Sequence, residues 1–358
     1  MNAPVIGRKL QSVENGMFDH PEFRGHEQVV FGHDRASGLF TIIAVHDTRL
    51  GPALGGCRMW AYASSAEALT DALRLSRGMT YKNALAGLDL GGGKAVIIGD
   101  ARSAKTPELL AAFGAQVDRL GGTYITAEDV GISAPDMEIV ATRTDHVRGT
   151  RATGLGDPSP YTALGVFCGI RAALRHRFGS DSLEGRRVCV KGLGHVGMDL
   201  AGQLHRAGAR LVLADIHKPT LEDAAARFGA EVVAADAAHA ADVDVFAPCA
   251  LGAGLNDETI PQIRAGIVAG AANNQLAEER HDEALRERGI LYAPDYAINA
   301  GGVISIALAT PGGDDALVRS KVEAIDETLT RIFERAERLS LPTQQVADAL
   351  AEERLAAA

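Results

Sequence analysis

One segment in the middle of the chain constrains the fold most strongly, because three spaced glycines join a short apolar run to a helical pattern. Gly192, Gly194 and Gly197 follow the run 188–191 and precede residues with helical periodicity. This GxGxxG spacing is typical of a turn that lets the backbone approach a dinucleotide pyrophosphate at a helix N-terminus. Taken alone it is a weak signal, since the same glycines can form a plain turn.

The residues around this turn strengthen the interpretation. Short apolar runs and helical patterns alternate from residue 187 to residue 293. Such alternation predicts a doubly wound parallel sheet, the Rossmann dinucleotide-binding fold. The next strand ends at Asp215, where a carboxylate would bind ribose hydroxyls and repel a 2′-phosphate, so we expect NAD rather than NADP. The candidate cofactor contacts in this part are Gly192, Gly194, His195, Val196, Gly197, Asp215 and Ile216.

The domain organisation follows from length and pattern. A chain of 358 residues exceeds one ordinary core and fits two α/β domains. The segment 149–159 is rich in Gly, Asp, Pro and Ser and is a candidate linker. The pattern of the tail predicts one long helix over 316–339 and a last helix that docks back on the first domain. We therefore expect a mixed α/β substrate-binding and oligomerisation domain at 1–148 plus 330–358, a dinucleotide-binding domain at 149–329 and a catalytic cleft between them.

Composition excludes several classes of function. The net charge of −10, with no basic stripe, argues against nucleic acid. No apolar run approaches the roughly 20 residues of a membrane span, and residues 1–18 lack the order of a signal peptide. The four cysteines are scattered and should stay reduced, which favours the cytoplasm. The eleven histidines form no metal-spaced cluster, so we expect no metal site.

Two lysines and an aspartate are the candidate catalytic groups. Lys94 follows Gly91–Gly93, which suggest a roomy turn with space for a ligand, and opens an apolar run. A partly buried ammonium near a second lysine has its charged form disfavoured, so Lys94 could act as a base. Lys82 would supply the charge for a substrate carboxylate, and Asp129, after a predicted strand, would exchange protons with Lys94. Each residue alone could equally be a surface lysine or a turn aspartate.

The motifs together resemble the glutamate/leucine/phenylalanine/valine dehydrogenase family, closest to its bacterial leucine-specific members. The resemblance covers roughly residues 26–310 and continues more loosely to the end. The matching segments are LGG at 54–56, MTYKNA at 79–84, GGGKAVIIGD at 91–100, YITAEDVG at 124–131, GDPSPYTALGV at 156–166, FAPCALG at 246–252, AGAANNQL at 269–276 and YAPDYAINAGGV at 292–303.

The resemblance implies roles for individual residues. Lys94 would be the general base and Asp129 the group that exchanges protons with the substrate amino group, while Lys82 would bind the substrate carboxylate. Further implied substrate contacts are Gly56, Met79, Leu54, Ala127, Asn273 and the stretch 297–303. Further implied cofactor contacts, on the nicotinamide side, are Thr162, Cys249, Ala250 and Asn273.

The implied reaction is reversible oxidative deamination of an L-amino acid by NAD, which yields a 2-oxo acid and ammonia. The matched motifs hold no third basic residue for a γ-carboxylate, so an apolar substrate is expected, leucine or another branched-chain amino acid first. Ala297, at a position where valine is usual, and the unusual stretch 304–315 leave phenylalanine or another aromatic amino acid as the alternative. A non-catalytic NAD-binding paralogue is the remote alternative. The resemblance also implies a homo-oligomer, a dimer or an octamer.

Overall fold

The computed structural model describes residues 17–150, 156–250, 252–309 and 314–358. The described elements form two units, each built around one sheet. The first sheet has five strands in the order β1-β2-β4-β3-β5, in which β3 runs parallel to β4 and β5 while β1 and β2 pair antiparallel. Its strands are β1 (Gln28–Asp34), β2 (Leu39–Asp47), β3 (Ala53–Trp60), β4 (Gly91–Ile98) and β5 (Tyr124–Glu128).

Helices cover both faces of this sheet. Successive residues of β2 are buried on opposite faces: Ile43 packs in the core under α2 and α3, whereas Ile42 and Ala44 pack under α1. This alternation explains why all residues of β2 except Phe40 are buried. The Ser64 side chain accepts a hydrogen bond from the backbone of Glu67 and so caps α1. The helices are α1 (Ser65–Leu85), α2 (Pro107–Asp118) and α3 (Ala134–Ala141).

The second sheet is parallel throughout and confirms the predicted doubly wound fold. Its order is β11-β10-β9-β6-β7-β8, so each half of the sheet extends outwards from the central pair β6 and β9. In such sheets ligands bind at the carboxyl ends of the strands, where the order reverses. The strands are β6 (Arg187–Lys191), β7 (Arg210–Ala214), β8 (Glu231–Val232), β9 (Val245–Pro248), β10 (Ile267–Val268) and β11 (Leu291–Tyr292).

Nine helices accompany the second sheet within the described ranges. The buried apolar residues of all but one of them join residues of β6, β7, β9 and β10 in one large core. In the remaining helix, Leu285 packs in a second core. These helices are α4 (Ser159–Phe178), α5 (His195–Arg206), α6 (Lys218–Phe228), α7 (Arg280–Glu287), α8 (Asp295–Ile298), α9 (Gly301–Leu308), α10 (Asp315–Glu323), α11 (Ile325–Leu339) and α12 (Thr343–Ala356).

The tail differs from its prediction in one respect. In place of one helix over 316–339, α10 ends before Ala324 and α11 starts after it. Ala324 keeps a helical φ, but its ψ of −9° interrupts the regular helix. The break lets Val318 and Val322 of α10, as well as Ile325 and Leu329 of α11, reach the same core.

The last helix connects the two units. Ala351 and Leu355 of α12 pack against Tyr81 and Ala84 of α1. Arg354 donates hydrogen bonds to the carbonyls of Ala84 (2.6 Å) and Leu88 (2.9 Å). At its start, α12 is hydrogen-bonded to the second unit through Thr343 and Gln344. A domain division at residues 148 and 330 stays a prediction, and the part of the predicted linker at 151–155 lies outside the described residues.

The glycines before Lys94 correct one expectation. Gly91–Gly93 lie inside β4 and not in a turn. A Cβ on Gly92 would stand 2.0 Å from the backbone nitrogen of Thr80 on α1, and one on Gly91 would stand 2.0 Å from the carbonyl oxygen of Asp47. These glycines therefore provide space for neighbouring backbone and not for a ligand. Their packing brings α1 close to β4.

Within the described residues, no helix combines the length and the apolar character that a membrane span requires.

Candidate active site

A cleft of about 370 Å³ separates the two units. One wall comes from β3, α1, β4 and the end of β5. The opposite wall comes from the start of α4, the start of α5, the segment 271–274 and the segment 295–306. The sequence-predicted residues that line this cleft are Leu54, Gly56, Met79, Lys82, Lys94, Ala127, Asp129, Thr162, Val196 and Asn273.

Lys94 and Asp129 form an ion pair at the bottom of the cleft. Lys94 is buried, with 6% of its surface exposed, and its Nζ donates to Asp129 Oδ2. The Arg58 Nε lies 3.4 Å from the same oxygen. Burial disfavours the charged form of Asp129, but Lys94 and Arg58 outweigh this effect and lower the pKa of Asp129 to about 2. Asp129 is therefore a carboxylate at neutral pH.

Lys82 has different surroundings. Its Nζ donates to Asn273 Oδ1 across the cleft at 3.3 Å, and the Asn299 side chain donates to that same oxygen at 2.8 Å. Burial, with some help from the nearby charge of Lys94, lowers the pKa of Lys82 to about 8 despite the opposing effect of Asp295. The structure thus shows a disfavoured ammonium at Lys82, the lysine expected to bind the substrate carboxylate.

Local structure explains why these side chains meet. Met79 and Lys82 are three residues apart on α1 and therefore share one helical face. Lys94 directly follows Gly91–Gly93 on β4, and α1 packs against this part of the strand. Gly56 on β3 permits β5 to come close, since a Cβ there would stand 2.5 Å from the Glu128 carbonyl oxygen and 2.9 Å from Asp129 Cβ. The small residues thus hold the two lysines and the aspartate within one wall.

The glycine turn has the shape of a dinucleotide cradle. Gly192 adopts a φ of +99°, and a Cβ there would stand 2.8 Å from the Ala250 nitrogen. A Cβ on Gly197 would stand 1.9 Å from the Gly192 carbonyl oxygen, whereas one on Gly194 would meet nothing within 4 Å. Two of the glycines are thus required by packing, and the middle one leaves open space at the start of α5. These residues fit a pyrophosphate.

The remaining predicted cofactor contacts lie around the same sheet edge. Asp215 directly follows β7, and its carboxylate accepts from the backbone N–H groups of Leu193 (2.6 Å) and His217 (2.7 Å). Ile216 is 91% exposed. Cys249 and Ala250 directly follow β9, while His195 Nδ1 lies 3.2 Å from Asp157 Oδ2 at the surface. Leu251, inside the motif at 246–252, lies outside the described residues.

Sequence reasoning missed several residues that line the cleft. Arg58 and Asp295 both add charge: Arg58 lies outside the matching segments, and Asp295 lies in the segment 292–303 but had no implied role. Ala297, which was expected to shape the substrate pocket, is instead buried in the core of the second unit. The side-chain wall in that region comes from Val303 and Ile306, which are about one turn apart on α9. Residues 310–313 lie outside the described ranges. Asn299, Gly302 and Val303 line the cleft from within the predicted stretch 297–303, whereas the missed lining residues include Arg58, Leu75, Gly78, Asp295 and Ile306.

All four cysteines are free, as expected, and Cys57, Cys168 and Cys189 are buried. The thiols therefore contribute to packing.

Comparisons with known proteins agree with this architecture. A family model described as "Glu/Leu/Phe/Val dehydrogenase, dimerisation domain" matches residues 26–146, and a model described as "Glutamate/Leucine/Phenylalanine/Valine dehydrogenase" matches residues 213–357. A leucine dehydrogenase of Thermoactinomyces intermedius is 51% identical over 341 residues, which is 95% of this chain and 93% of that protein. A valine dehydrogenase of Streptomyces coelicolor is 48% identical, with 95% and 94% of the two chains covered.

A solved structure extends the comparison. The crystal structure of L-tryptophan dehydrogenase from Nostoc punctiforme superimposes with a TM-score of 0.82 at 46% identity, and the match covers 92% of this chain and 96% of the other.

Proposed function

Because the chain belongs to the glutamate/leucine/phenylalanine/valine dehydrogenase family and is an amino-acid dehydrogenase, we propose that it catalyses the NAD-dependent oxidative deamination of leucine and related branched-chain amino acids. The observation that carries the proposal is the wall of Lys82, Lys94 and Asp129, which faces a dinucleotide cradle across one cleft. The reverse reaction is the reductive amination of a 2-oxo acid with ammonia.

In this proposal the two lysines have separate tasks. The Lys82 ammonium binds the substrate carboxylate, assisted by Gly56 and Met79 beside it in the cleft. The Asp129 carboxylate holds the amino group and exchanges protons with it. Asn273, already hydrogen-bonded to Lys82, orients the substrate from the second unit. The substrate Cα is thereby fixed between the two walls, which reduces the entropic part of the barrier.

The bound nicotinamide would accept the hydride from Cα. Lys94 in its neutral form then removes a proton from the water that attacks the resulting imine. Because Lys94 contacts Asp129 directly, a proton can pass between them without a solvent bridge. The carbinolamine then collapses to the 2-oxo acid and ammonia. Thr162 and Val196 at the starts of α4 and α5, together with Cys249 and Ala250 after β9, would border the nicotinamide.

The preference for NAD is proposed from Asp215. Its carboxylate is oriented by two backbone N–H groups at the end of β7, where ribose hydroxyls would bind and a 2′-phosphate would be repelled. Gly194 would lie under the pyrophosphate, flanked by His195. The exposed apolar side chain of Ile216 supplies a surface for the adenine.

The aliphatic preference is proposed from the side chains that line the far part of the cleft. These are leucine, alanine, valine and isoleucine, and Ala127 is the smallest of them. Branched aliphatic residues restrict the width that a flat ring needs. An aromatic substrate is the alternative, because the similar solved structure is named a tryptophan dehydrogenase. The aliphatic lining residues are Leu54, Leu75, Ala127, Val303 and Ile306.

Assembly and location are also part of the proposal. The match of residues 26–146 to a dimerisation domain supports a homo-oligomer built from dimers, with a dimer or an octamer as the expected states. A cytoplasmic location stays a prediction of the sequence.

One substrate panel tests the function. NADH or NADPH formation would be measured with leucine, isoleucine, valine, phenylalanine, tryptophan and glutamate, each with NAD and with NADP. We expect the highest kcat/KM with leucine and NAD, and smaller differences among branched-chain substrates, since one methylene contributes only about 1–3 kcal/mol in an apolar pocket.

Two results of this panel would contradict parts of the proposal. A kcat/KM for phenylalanine or tryptophan above that for leucine would replace the aliphatic assignment. Equal or better rates with NADP would remove the proposed role of Asp215.

A further inference from the structure

Arg58 lies in the cleft wall between two carboxylates, and the proposed reaction gives it no task. Its Nη1 donates to Asp71 Oδ2 on α1 at 2.9 Å, and the Tyr62 hydroxyl donates to the same oxygen at 2.6 Å. Its Nε is buried and lacks a hydrogen-bond partner within the described part of the chain. That Nε stands 3.4 Å from Asp129 Oδ2. One end of the guanidinium is therefore fixed, while its Nε keeps an unused donor beside the catalytic carboxylate.

The oxygen beside this donor is already used by Lys94. Lys94 Nζ donates to Asp129 Oδ2, the same atom that Arg58 Nε approaches. A buried donor without a partner costs about 1–3 kcal/mol, so its persistence calls for an explanation. While Lys94 is protonated, Asp129 Oδ2 is occupied. If Lys94 loses its proton to act as a base, the ion pair ends and a buried carboxylate is left without its strongest partner.

We propose that Arg58 is a positioning residue, which takes over the Asp129 carboxylate when Lys94 gives up its proton and so makes neutral Lys94 accessible during turnover. This inference rests on the proposed function. A guanidinium suits the task because it stays charged throughout the working pH range and offers several donors in a fixed plane. A shift of roughly half an ångström would bring Nε from 3.4 Å to an ordinary charge-assisted distance. Asp71 and Tyr62 hold the guanidinium in place for this shift.

The charges around Asp129 determine the sign of the expected effect. Arg58 on β3 is a permanent cation and Lys94 on β4 is the partner of Asp129, while Lys82 on α1 is a cation below a pH of about 8. Glu128 on β5 is the acidic neighbour of Asp129. Burial raises the pKa of each neutral group that faces this cluster, so these groups stay neutral in the range of interest. These groups are Cys57, Tyr62 and Tyr124.

Removing Arg58 takes one positive charge from the cluster. Every remaining group then binds a proton more tightly, whether it is a carboxylate or an amine. The acid limb of the kcat/KM profile must therefore move to higher pH, whichever of these groups it reports. Loss of the charge alone produces this shift, so the handover itself is tested by Arg58→Lys, which keeps the charge but cannot hold Asp71 and Asp129 together. Its kcat falls only if Arg58 has to hold the Asp129 carboxylate during turnover.

The experiment compares Arg58→Gln, Arg58→Lys and Tyr62→Phe with the parent enzyme. Profiles of kcat/KM and kcat for the best amino acid would be measured from pH 6 to pH 11. Thermal unfolding and NADH binding would be recorded for each variant. The Tyr62→Phe variant is the matched control, because it removes a neutral partner of Asp71 and keeps the guanidinium.

In Arg58→Gln we expect the acid-limb midpoint to rise by at least about one pH unit, equal to a tenfold loss of kcat/KM at a pH on that limb. Arg58→Lys keeps the charge but cannot reach Asp71 and Asp129 together. It should therefore show a smaller shift and a kcat at least about tenfold lower. Tyr62→Phe should keep the parent midpoint.

Several outcomes would overturn the role of Arg58. One is a folded Arg58→Gln variant with the parent midpoint. If that variant does not fold, an Arg58→Lys variant with the parent midpoint and the parent kcat overturns the role equally. A parent enzyme that oxidises no amino acid at any pH would instead refute the proposed function, so the two failures are distinguishable.

Discussion

Lys82 and Lys94 belong to the same cleft wall, but their partners make them chemically different. Lys94 is paired with an ionised carboxylate, whereas Lys82 meets the neutral amide of Asn273 and the more distant Asp295. An entering substrate carboxylate would give Lys82 the negative partner that it lacks. The wall is therefore suited to accept one anionic group at Lys82 and one cationic group at Asp129, which is the charge pattern of an amino acid.

Replacement of Lys94 by alanine tests its role as the base. We expect Lys94→Ala to lower kcat for leucine by about 10²–10⁴-fold, the usual contribution of a positioned acid or base. The dissociation constant of NADH should stay close to that of the parent, because the cradle belongs to the other unit. Stopped-flow rates and NADH fluorescence provide the two measurements. A variant with intact kcat would show that Lys94 is not the base.

The pKa of Lys82 predicts a pH dependence of carboxylate binding. The ammonium form predominates below a pH of about 8 and is lost above it. The inhibition constant of 4-methylpentanoate, which lacks the amino group, should therefore rise above pH 8 by up to about tenfold per pH unit. Lys82→Gln should bind this inhibitor weakly and with no such rise. An inhibition constant that stays constant from pH 7 to pH 10 in the parent would falsify the assignment of the carboxylate to Lys82.

At the scale of secondary-structure elements, glycine has two distinct functions in this chain. Gly92 lets a helix rest directly on a strand. Gly194 leaves the entrance to α5 open to a ligand. The first type contributes to the fold even without a cofactor, and the second contributes only when one is bound.

Alanine substitutions should separate these functions. In Gly92→Ala the new Cβ meets the backbone of α1, so we expect destabilisation by at least about 1–3 kcal/mol and a loss of activity as Lys82 moves away from Lys94. In Gly194→Ala nothing obstructs the Cβ. The unfolding temperature should stay within error of the parent, while the KM for NAD rises. Unfolding curves and cofactor titrations distinguish these results, and a lowered unfolding temperature in Gly194→Ala would contradict this view of the turn.

The sequence predicted elements best where one periodicity was sufficient. It placed the strand before the glycine turn and the alternation of the second sheet correctly. It failed at Gly91–Gly93 because a run of glycines looks the same in a turn and in a strand that another backbone covers. Arg58 and Asp295 were missed for a related reason, since their partners come from elements distant in sequence, and only the tertiary fold brings them into the cleft.

At the scale of the whole molecule, α12 links the two walls of the cleft. Its far end packs on α1, which carries Lys82. At its start, the Gln344 backbone donates to Asp282 Oδ2 of α7 at 2.8 Å. Thr343 donates to the carbonyl oxygen of Tyr292 on β11 at 2.7 Å and lies 3.4 Å from Asp282 Oδ1. Asp282 is 4% exposed, so a buried carboxylate fixes this link.

Burial raises the pKa of Asp282 to about 6, above its ordinary value of 3.8. The folded chain therefore binds this proton more tightly than the unfolded chain does, and the contribution of Asp282 to stability falls as pH rises towards 6. Asp282→Asn removes the buried charge, and its amide can still accept from Gln344 and donate to Thr343. We expect its unfolding temperature to exceed that of the parent by about 2–4 °C at pH 7.5 and to match it near pH 4.5.

Calorimetry at the two pH values checks this prediction. Asp223→Asn, at an exposed position on α6, is the control and should follow the parent at both. An Asp282→Asn variant that is less stable than the parent at pH 7.5 would mean that the ionised carboxylate is needed as an acceptor.

The packing of α12 on α1 also affects folding during biosynthesis. The helix that carries Lys82 leaves the ribosome long before α12 does, and at about 5–20 residues per second the interval is on the order of tens of seconds. During that time the apolar surface around Tyr81 and Ala84 has no cover from Ala351 and Leu355. The first unit therefore cannot complete its packing until the C-terminal part of the chain has been synthesised. We expect the chain to depend on chaperones at this stage more than a protein whose domains fold completely in the order of their synthesis.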